Sequence, residues 1–513
     1  MYLEGLMSIR KNYLISIFIV VIILLGDSDA SAAAIVKNDN TDALNQISSW
    51  VGGVVPGAGN IATWDATLTV NNTSALGTNQ SWQGISHSAG KTISISATIF
   101  QNGSSVSVDS GNNLFTYTGT DVSNDNSVYF TATSLPAGLV ANHPYYIVNS
   151  DNVAKTYQIS NTPAGTAIDF TSNGSAVKNY VHATLYIGSS NIVCTFNQSF
   201  TIACALAVPQ HLEAAFGPNN GSTISGPLLG SGTIDLRPSA MLAFTPSQCS
   251  LTGNITVHSG IFAIANSTHM GTGELILNGG SLAFRSDSNI SLSNNVKVTS
   301  DSEIFNGTGA WGGQYDAAER SFSTLTIGNS TLTVSIPASD NNDSGNVIFS
   351  ATTLTGNATF NVNTGASYTN KLQLGVIQDG GSCYSITKTG VGLLSFVGTN
   401  SFSGNTTISA GNSIIYSGGS LASRVITVNS GANLLLSHSD CLADSSSLYL
   451  NGTINLAVGV SETIEKLYLG GIESSCGSYG SSASSAYNKN DTYFSGNGVL
   501  LVHPHHGTLI LIE

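Results

Sequence analysis

Charge is what this sequence has least of. Of 513 residues, 15 are Lys or Arg and 29 are Asp or Glu, so charged side chains make up 9% and the net charge is −14. An ordinary soluble domain carries roughly 25%. Fifteen cations scattered over the chain offer no basic face for phosphates, which excludes a nucleic-acid binder. Coiled coils and helical bundles need Glu, Lys and Arg in quantity, so they are excluded too. Proline is scarce at 11, and with 55 glycines the pair stays well below the ~25–30% of low-complexity chains. Hydrophobic residues still reach 41%, too many for a disordered chain. Six cysteines suit an oxidising compartment but show no CxxC pair and no zinc-like spacing. Cys194 and Cys204 are the one local pair that suggests a disulfide.

What is present begins with an address. Arg10 and Lys11 precede an apolar run from Tyr13 to Leu25, and Ala30-Ser31-Ala32 follows as a small-residue cleavage site. This is the layout of a secretory signal peptide, assigned here to residues 1–34. The run is shorter than the ~20 residues of a spanning helix. The expectation is therefore an exported protein, secreted or on the cell surface, touching a membrane only through some separate anchor.

From about residue 66 onward the chain reads as short period-2 runs punctuated by Gly, Asn, Asp and Ser: Thr67–Val70, Ile255–Val257, Leu275–Leu277, Leu354–Val362. Alternation with frequent turn residues predicts many short strands and an all-β protein. His211–Phe216 is the best candidate for a helical turn. The runs recur at twenty to thirty residues, as in Leu251–Phe284 and Ser385–Leu421, which is the spacing of solenoid repeats. Inward Leu, Ile, Val and Phe cannot be buried by one coil alone. Stacking the next coil about 4.8 Å away completes both core and hydrogen bonds. The predicted fold is a parallel β-helix, or β-solenoid, with a small inserted β module; a string of β-sandwiches is the alternative.

The segment Ser385–Leu421 resembles the autotransporter-associated β-strand repeat of bacterial surface passenger domains. Lys388, Gly390, Gly392, Leu394, Phe396, Gly398, Asn400, Phe402, Gly404, Thr406, Ile408 and Gly411 carry the likeness. Trp50, Gly52, Gly53, Pro56, Ala62, Trp64 and Asp65 are similar to the opening motif of such proteins, and Ile464–Val502 to their closing segment. Ser127–Ser160, with Phe130, Leu135–Leu139 and Tyr145–Val148, resembles a small β module of fibre-like extracellular proteins. The implied organisation is a cap and first coils (35–111), an inserted module (112–182), solenoid (183–384), the repeat (385–421), a closing segment (422–502) and a tail (503–513). No run of amphipathic barrel strands follows Val502, so the likeness is to the passenger alone.

Chemistry is harder to find. Polysaccharide lyases and hydrolases on β-helices need acids paired with each other or with Lys or Arg, projecting from neighbouring coils. Trp311, Tyr315, Asp316, Glu319 and Arg320 form the best candidate cluster for holding a glycan, and Asp235 with Arg237 is the next. His503, His505 and His506, and the loop 340–345, are weak metal-like patterns. No cofactor fingerprint is present, and none is expected. The resemblance implies a structural or adhesive surface protein without catalysis, with surface glycans or neighbouring cells as partners. A self-assembling sheath or layer protein and a polysaccharide-active enzyme are the alternatives.

Overall fold

The computed structural model describes residues 32–503 apart from 142, 189–190, 195–197, 218–220, 307–317, 336–344 and 364–370. The signal-peptide segment thus lies outside the described residues, apart from its last few positions. So do His505, His506 and nearly all of the loop 340–345. No described helix is long and apolar enough to cross a membrane.

Most of the period-2 runs form strands that pair in parallel with the run one coil later, but Thr67–Val70 does not: it lies in the turn between Asn60–Trp64 and Asn72–Ala75, with only Leu68 of the four buried. Ile234 lies opposite Ile255, Ile255 opposite Leu275 and Leu275 opposite Val296, so a coil takes about 20 residues here. Two faces run the length of the molecule, an 18-stranded and a 16-stranded sheet. A short third face of four strands, Gln80–Trp82, Thr184–Ile187, Ala205–Ala207 and Leu228–Leu229, closes the N-terminal coils. The protein is an all-β parallel solenoid. At the inter-strand spacing of ~4.8 Å the rod is on the order of 80 Å long. The one helical element among the described residues is the 3-10 turn Ile47–Ser49. His211–Phe216 is not helical: it holds the strand Leu212–Ala215, because Leu212 and Ala214 alternate inward while Glu213 faces out.

Apolar ladders hold the coils together. Leu242, Phe262, Leu282 and Ile304 stack in register on one face. Ile255, Leu275, Val296 and Leu325 stack on the other. All eight are buried. Each such side chain contributes roughly 1.5–3 kcal/mol, against ~0–1 for an exposed ion pair, so packing and not charge sets the stability. At one corner coils touch backbone to backbone. A Cβ on Gly253 would lie 1.9 Å from the Gly232 carbonyl oxygen, and one on Gly273 would lie 2.0 Å from that of Gly253.

The two ends differ. At the N-terminal end Trp50, Trp64 and Trp82 pack together with ring centroids 5.8–6.1 Å apart. The buried Lys37 ammonium donates to the Asn38 and Asn40 carbonyls at 3.0 and 2.7 Å. At the C-terminal end Lys466–Leu469 turns back on Ile472–Glu473 in antiparallel pairing. Val499–Val502 pairs parallel with Ser461–Ile464 and antiparallel with Gly477–Gly480. The reversal caps the 16-stranded sheet, while the 18-stranded sheet ends on the parallel strand Phe494–Gly496.

In the segment 385–421 several of the residues singled out in the sequence carry structural roles. Leu394, Phe396 and Phe402 fill the core. Gly390 sits at φ +73°, where its Cβ would meet the Val362 carbonyl at 2.3 Å. Asn400 bridges coils, accepting from the Ile377 N–H at 2.7 Å and donating to the Ser420 carbonyl at 2.6 Å. Lys388 is fully buried, and its ammonium donates to the carbonyls of Thr389, Gly390 and Ala410 at 2.7, 2.6 and 3.1 Å.

The inserted module is a seven-stranded, mainly antiparallel sheet with its own core, in which Phe115 stacks on Phe130 at 4.6 Å. It begins at Ile99, earlier than residue 112. The strand Ile99–Ser105 pairs antiparallel with Lys178–His182, the strand that returns the chain to the rod.

The expected Cys194–Cys204 bridge is absent. The strand Ile192–Cys194 belongs to one long sheet and Phe200–Ile202 to the other, so the two cysteines sit on different faces of a coil. Cys204 is a free, fully buried thiol whose burial pushes its pKa up to about 12.

Two outcomes follow from these buried charges. Lys388→Met leaves corner carbonyls without a donor and is expected to cost about 1–3 kcal/mol, read as a lower denaturant midpoint. Glu462 is fully buried, accepts from the Cys441 and Leu442 N–H groups at 3.0 and 2.8 Å, and burial pushes its pKa up from 4.5 to about 7. The folded state then holds a proton that the unfolded state has released, so stability present at pH 4.5 is lost as pH rises through about 7. The melting temperature should fall across that window in the wild type and fall less in Glu462→Gln; parallel slopes would remove Glu462 from the explanation.

Candidate functional site

Of the cluster expected to grip a glycan, only Glu319 and Arg320 fall among the described residues. Trp311, Tyr315 and Asp316 lie outside the described residues. Glu319 is exposed at the start of the strand Glu319–Ile327, but Arg320 beside it points inward and is fully buried. Period 2 requires this: Arg320 shares its face with Phe322. Its guanidinium donates to the Ser288 carbonyl and, at 2.5 Å, to the Ser286 carbonyl, and lies over the Phe284 ring at 4.8 Å. Burial lowers its pKa to about 10. Arg320 ties two turns of backbone and is unavailable to a ligand.

Asp235 and Arg237 do share a face of the 18-stranded sheet, but not as partners. Glu213 lies opposite Asp235 in register on the preceding coil. Arg237 reaches back to Glu213, Nε to Oε1 at 2.8 Å. Asp235 Oδ2 sits between His258 Nε2 at 3.3 Å and His211 Nε2 at 3.9 Å. The outer nitrogens of those rings are held by their neighbours: His258 Nδ1 by Asn278 at 3.1 Å and His211 Nδ1 by Thr233 Oγ1 at 2.9 Å. Sequence reasoning missed Glu213, His211 and His258 because 22–24 residues separate them from their partners; the coil length is the signal that would have aligned them. Among the described residues no group of three or more His, Cys, Asp or Glu is arranged to hold a metal ion.

A cleft of about 670 Å³ opens a few residues before this charged ladder, where the inserted module leans on the coil corners. Val140, His143, Tyr145 and Ile168 line it from the module. Pro209, Ser231, Ser250 and Thr252 line it from the rod. His143 packs on Tyr145 with ring centroids 4.6 Å apart, and burial lowers its pKa against an opposing hydrogen bond from Asn161. Tyr145 accepts the Val140 N–H at its hydroxyl, 2.8 Å away, which fixes the bend carrying Val140.

Partly buried polar contacts lock the module to the rod. Asn79 Oδ1 accepts from Asn126 Nδ2 at 2.7 Å and from the Thr184 N–H at 2.8 Å, while Asn79 Nδ2 donates to the Asn124 carbonyl at 3.0 Å. The Tyr186 hydroxyl donates to the Asp125 carbonyl at 2.7 Å. Tyr146 packs flat on Ala205, Ala207 and Leu229, where small side chains leave room for its ring. The cleft is therefore walled by two bodies that are fixed relative to each other.

No family model matches the sequence, and no curated protein matches it. Among solved structures the chain is similar to the Gp54 tailspike of Acinetobacter baumannii bacteriophage AP22, determined in complex with A. baumannii capsular saccharide. That match covers 79% of this chain and 74% of the other at 8% identity, with a TM-score of 0.24. A likeness this low carries no argument about what the chain does.

Asn79 is the lynchpin of the junction. Asn79→Ala strands the fully buried Asn126 amide and Thr184 N–H. It should cost about 2–3 kcal/mol locally. Amide exchange at 124–128 and 184–186 is then expected to quicken about thirtyfold or more, with the distal coils unchanged.

Proposed function

We propose that this chain is an exported, non-enzymatic β-solenoid of the bacterial cell surface, structural or adhesive in role and passenger-like in kind. The observation that carries the reading is the side module: a separate β body, held by partly buried hydrogen bonds on the flank of a rod. A rod displays what it carries at a distance, and a rigidly docked module is a thing displayed. The signal-peptide pattern and the repeat-like residues Lys388 to Gly411 support export and surface placement. The strand reversal at the C-terminal end of the 16-stranded sheet speaks against continuous end-to-end stacking of that face into a sheath.

One observation favours a second reading. Glu213 and Asp235 project from neighbouring coils beside Arg237, His211 and His258, which is the grouping a polysaccharide-active enzyme needs. On the adhesive reading the purified chain releases no reducing ends and no unsaturated sugars from a panel of polysaccharides. Turnover that disappears in Asp235→Asn and Glu213→Gln would install the enzyme instead.

Placement is tested with an antibody to the mature chain on intact cells, permeabilised cells and culture supernatant. Signal on intact cells is the expected result. Signal confined to permeabilised cells would overturn surface display.

A further inference from the structure

The cleft between module and rod combines three properties that together select a ligand class. The first is its charge. In a chain of net charge −14, no Asp, Glu, Lys or Arg among the described residues lines the cleft, and burial keeps His143 toward its neutral form. A polyanion would find no cation there and would meet a negative protein on approach; a polycation would find no carboxylate. An uncharged ligand is what the lining accommodates.

The second property is the contrast between the walls. On the module side Val140 is 62% exposed and, with Ile168 and the His143–Tyr145 pair, offers an apolar surface. On the rod side Ser231, Ser250 and Thr252 project hydroxyls from successive coil corners. Among the described residues no hydrogen bond ties those three hydroxyls to other protein groups, so their donors and acceptors are free for a guest. A ligand that answers both walls carries a C–H face on one side and hydroxyls on the other, which is the two-sided character of a sugar ring. A purely apolar molecule would leave the hydroxyl wall unanswered, and that costs affinity.

The third property is preorganisation. At about 670 Å³ the cleft lies within the ~300–1,000 Å³ of small-ligand sites. Its walls are joined through Asn79 and Tyr146, so little ordering remains to be done on binding. Gly230 on the rod side, at φ +114°, cannot carry a side chain into the space without meeting the Val208 carbonyl 2.2 Å away.

We propose that this cleft is a binding site for an uncharged saccharide, held between the Val140–His143–Tyr145 side of the inserted module and the Ser231, Ser250 and Thr252 hydroxyls of the rod. It rests on the adhesive reading and gives that reading a ligand class.

The test is calorimetric titration of the whole mature chain with four neutral trisaccharides, maltotriose, cellotriose, mannotriose and chitotriose. Trigalacturonate serves as the anionic comparator and N-phenylnaphthylamine as the apolar one. Ser231→Trp and Thr252→Trp fill the cleft from exposed corner positions, and Val458→Trp places the same bulk on a distant exposed site. The expected result is binding of at least one neutral trisaccharide, weakened tenfold or more in each cleft variant and unchanged in Val458→Trp, with all melting temperatures alike. No binding by any of the four overturns the proposal. So does binding that the cleft variants leave intact, or binding of trigalacturonate or N-phenylnaphthylamine in preference to all of them. Surface labelling is a separate readout: a labelled surface with an empty cleft sinks the saccharide site and leaves surface display standing.

Discussion

In-register parallel stacking is the constraint from which the rest of this molecule follows. Each residue of a coil faces the equivalent residue of the next at ~4.8 Å, so whatever one coil presents, the next must tolerate. An apolar side chain gains from that repetition. A charged one does not: like charges at such a distance repel by ~1 kcal/mol in water and by several at a surface of lower effective dielectric, at every step of the column. Asn, Ser and Thr escape the penalty by bonding to the next coil. Asn357 N–H donates to Asn329 Oδ1 at 2.8 Å, Ser385 N–H to Asn357 Oδ1 at 2.9 Å and Asn405 N–H to Ser385 Oγ at 3.1 Å, a polar ladder along one corner. The 9% of charged residues is thus a consequence of the fold. Where two acids do meet in register, at Glu213 and Asp235, Arg237 and His258 are set against them.

The same stacking explains how a whole module can be inserted without breaking the rod. Ile99 and His182 lie opposite each other at the module's base, so the chain leaves and returns at nearly one point. The strand after the module, Thr184–Ile187, resumes the ladder directly with Leu185 opposite Gln80, and the next strand sets Ile192 opposite Ile85. A coil interrupted in this way loses one corner and keeps its core. The corner carries no apolar ladder, so it is the least costly place to interrupt. The small residues Ala205 and Ala207 on the short third face then give the returning module a flat bed for Tyr146.

Most of the fold was legible because period 2 and corner glycines are local signals. The solenoid, the presence of an inserted module and the core positions Leu394, Phe396 and Phe402 could be read from strings of a few residues, while the module's start could not. What could not be read depends on the distance between coils. Asp235 with Arg237 looked like a pair because they are neighbours in sequence, yet their partners, Glu213 and His258, sit one coil away on either side. Arg320 looked like a ligand-facing cation because composition says nothing of which way a strand is turned; Phe322 on the same face decides it. The Cys194–Cys204 suggestion failed for the same reason, since ten residues along a coil cross from one sheet to the other. The cleft was invisible in sequence because its walls come from residues 138–168 and 209–252, which only the fold brings together, through contacts such as those of Asn79, Tyr146 and Tyr186.

Cleft and charged ladder belong to the same coils, and their order along the chain matters. Pro209 and Ser231 line the cleft, and two residues later His211 and Thr233 enter the ladder. A chain-like ligand seated in the cleft and leaving it along the strands would pass over Glu213 and Asp235. The state of those carboxylates then separates holding from reacting. A catalytic acid must be free to give its proton to a bond and a catalytic base to take one from water. Here Glu213 already faces the Arg237 guanidinium at 2.8 Å, and Asp235 lies between two imidazoles whose far nitrogens are themselves held. Groups so engaged can accept hydroxyl donors at their remaining lone pairs, but they have no slack for proton transfer without first giving up a partner. On the adhesive reading proposed above, carboxylates engaged in this way fit a face that lies beside a ligand better than one that transfers protons.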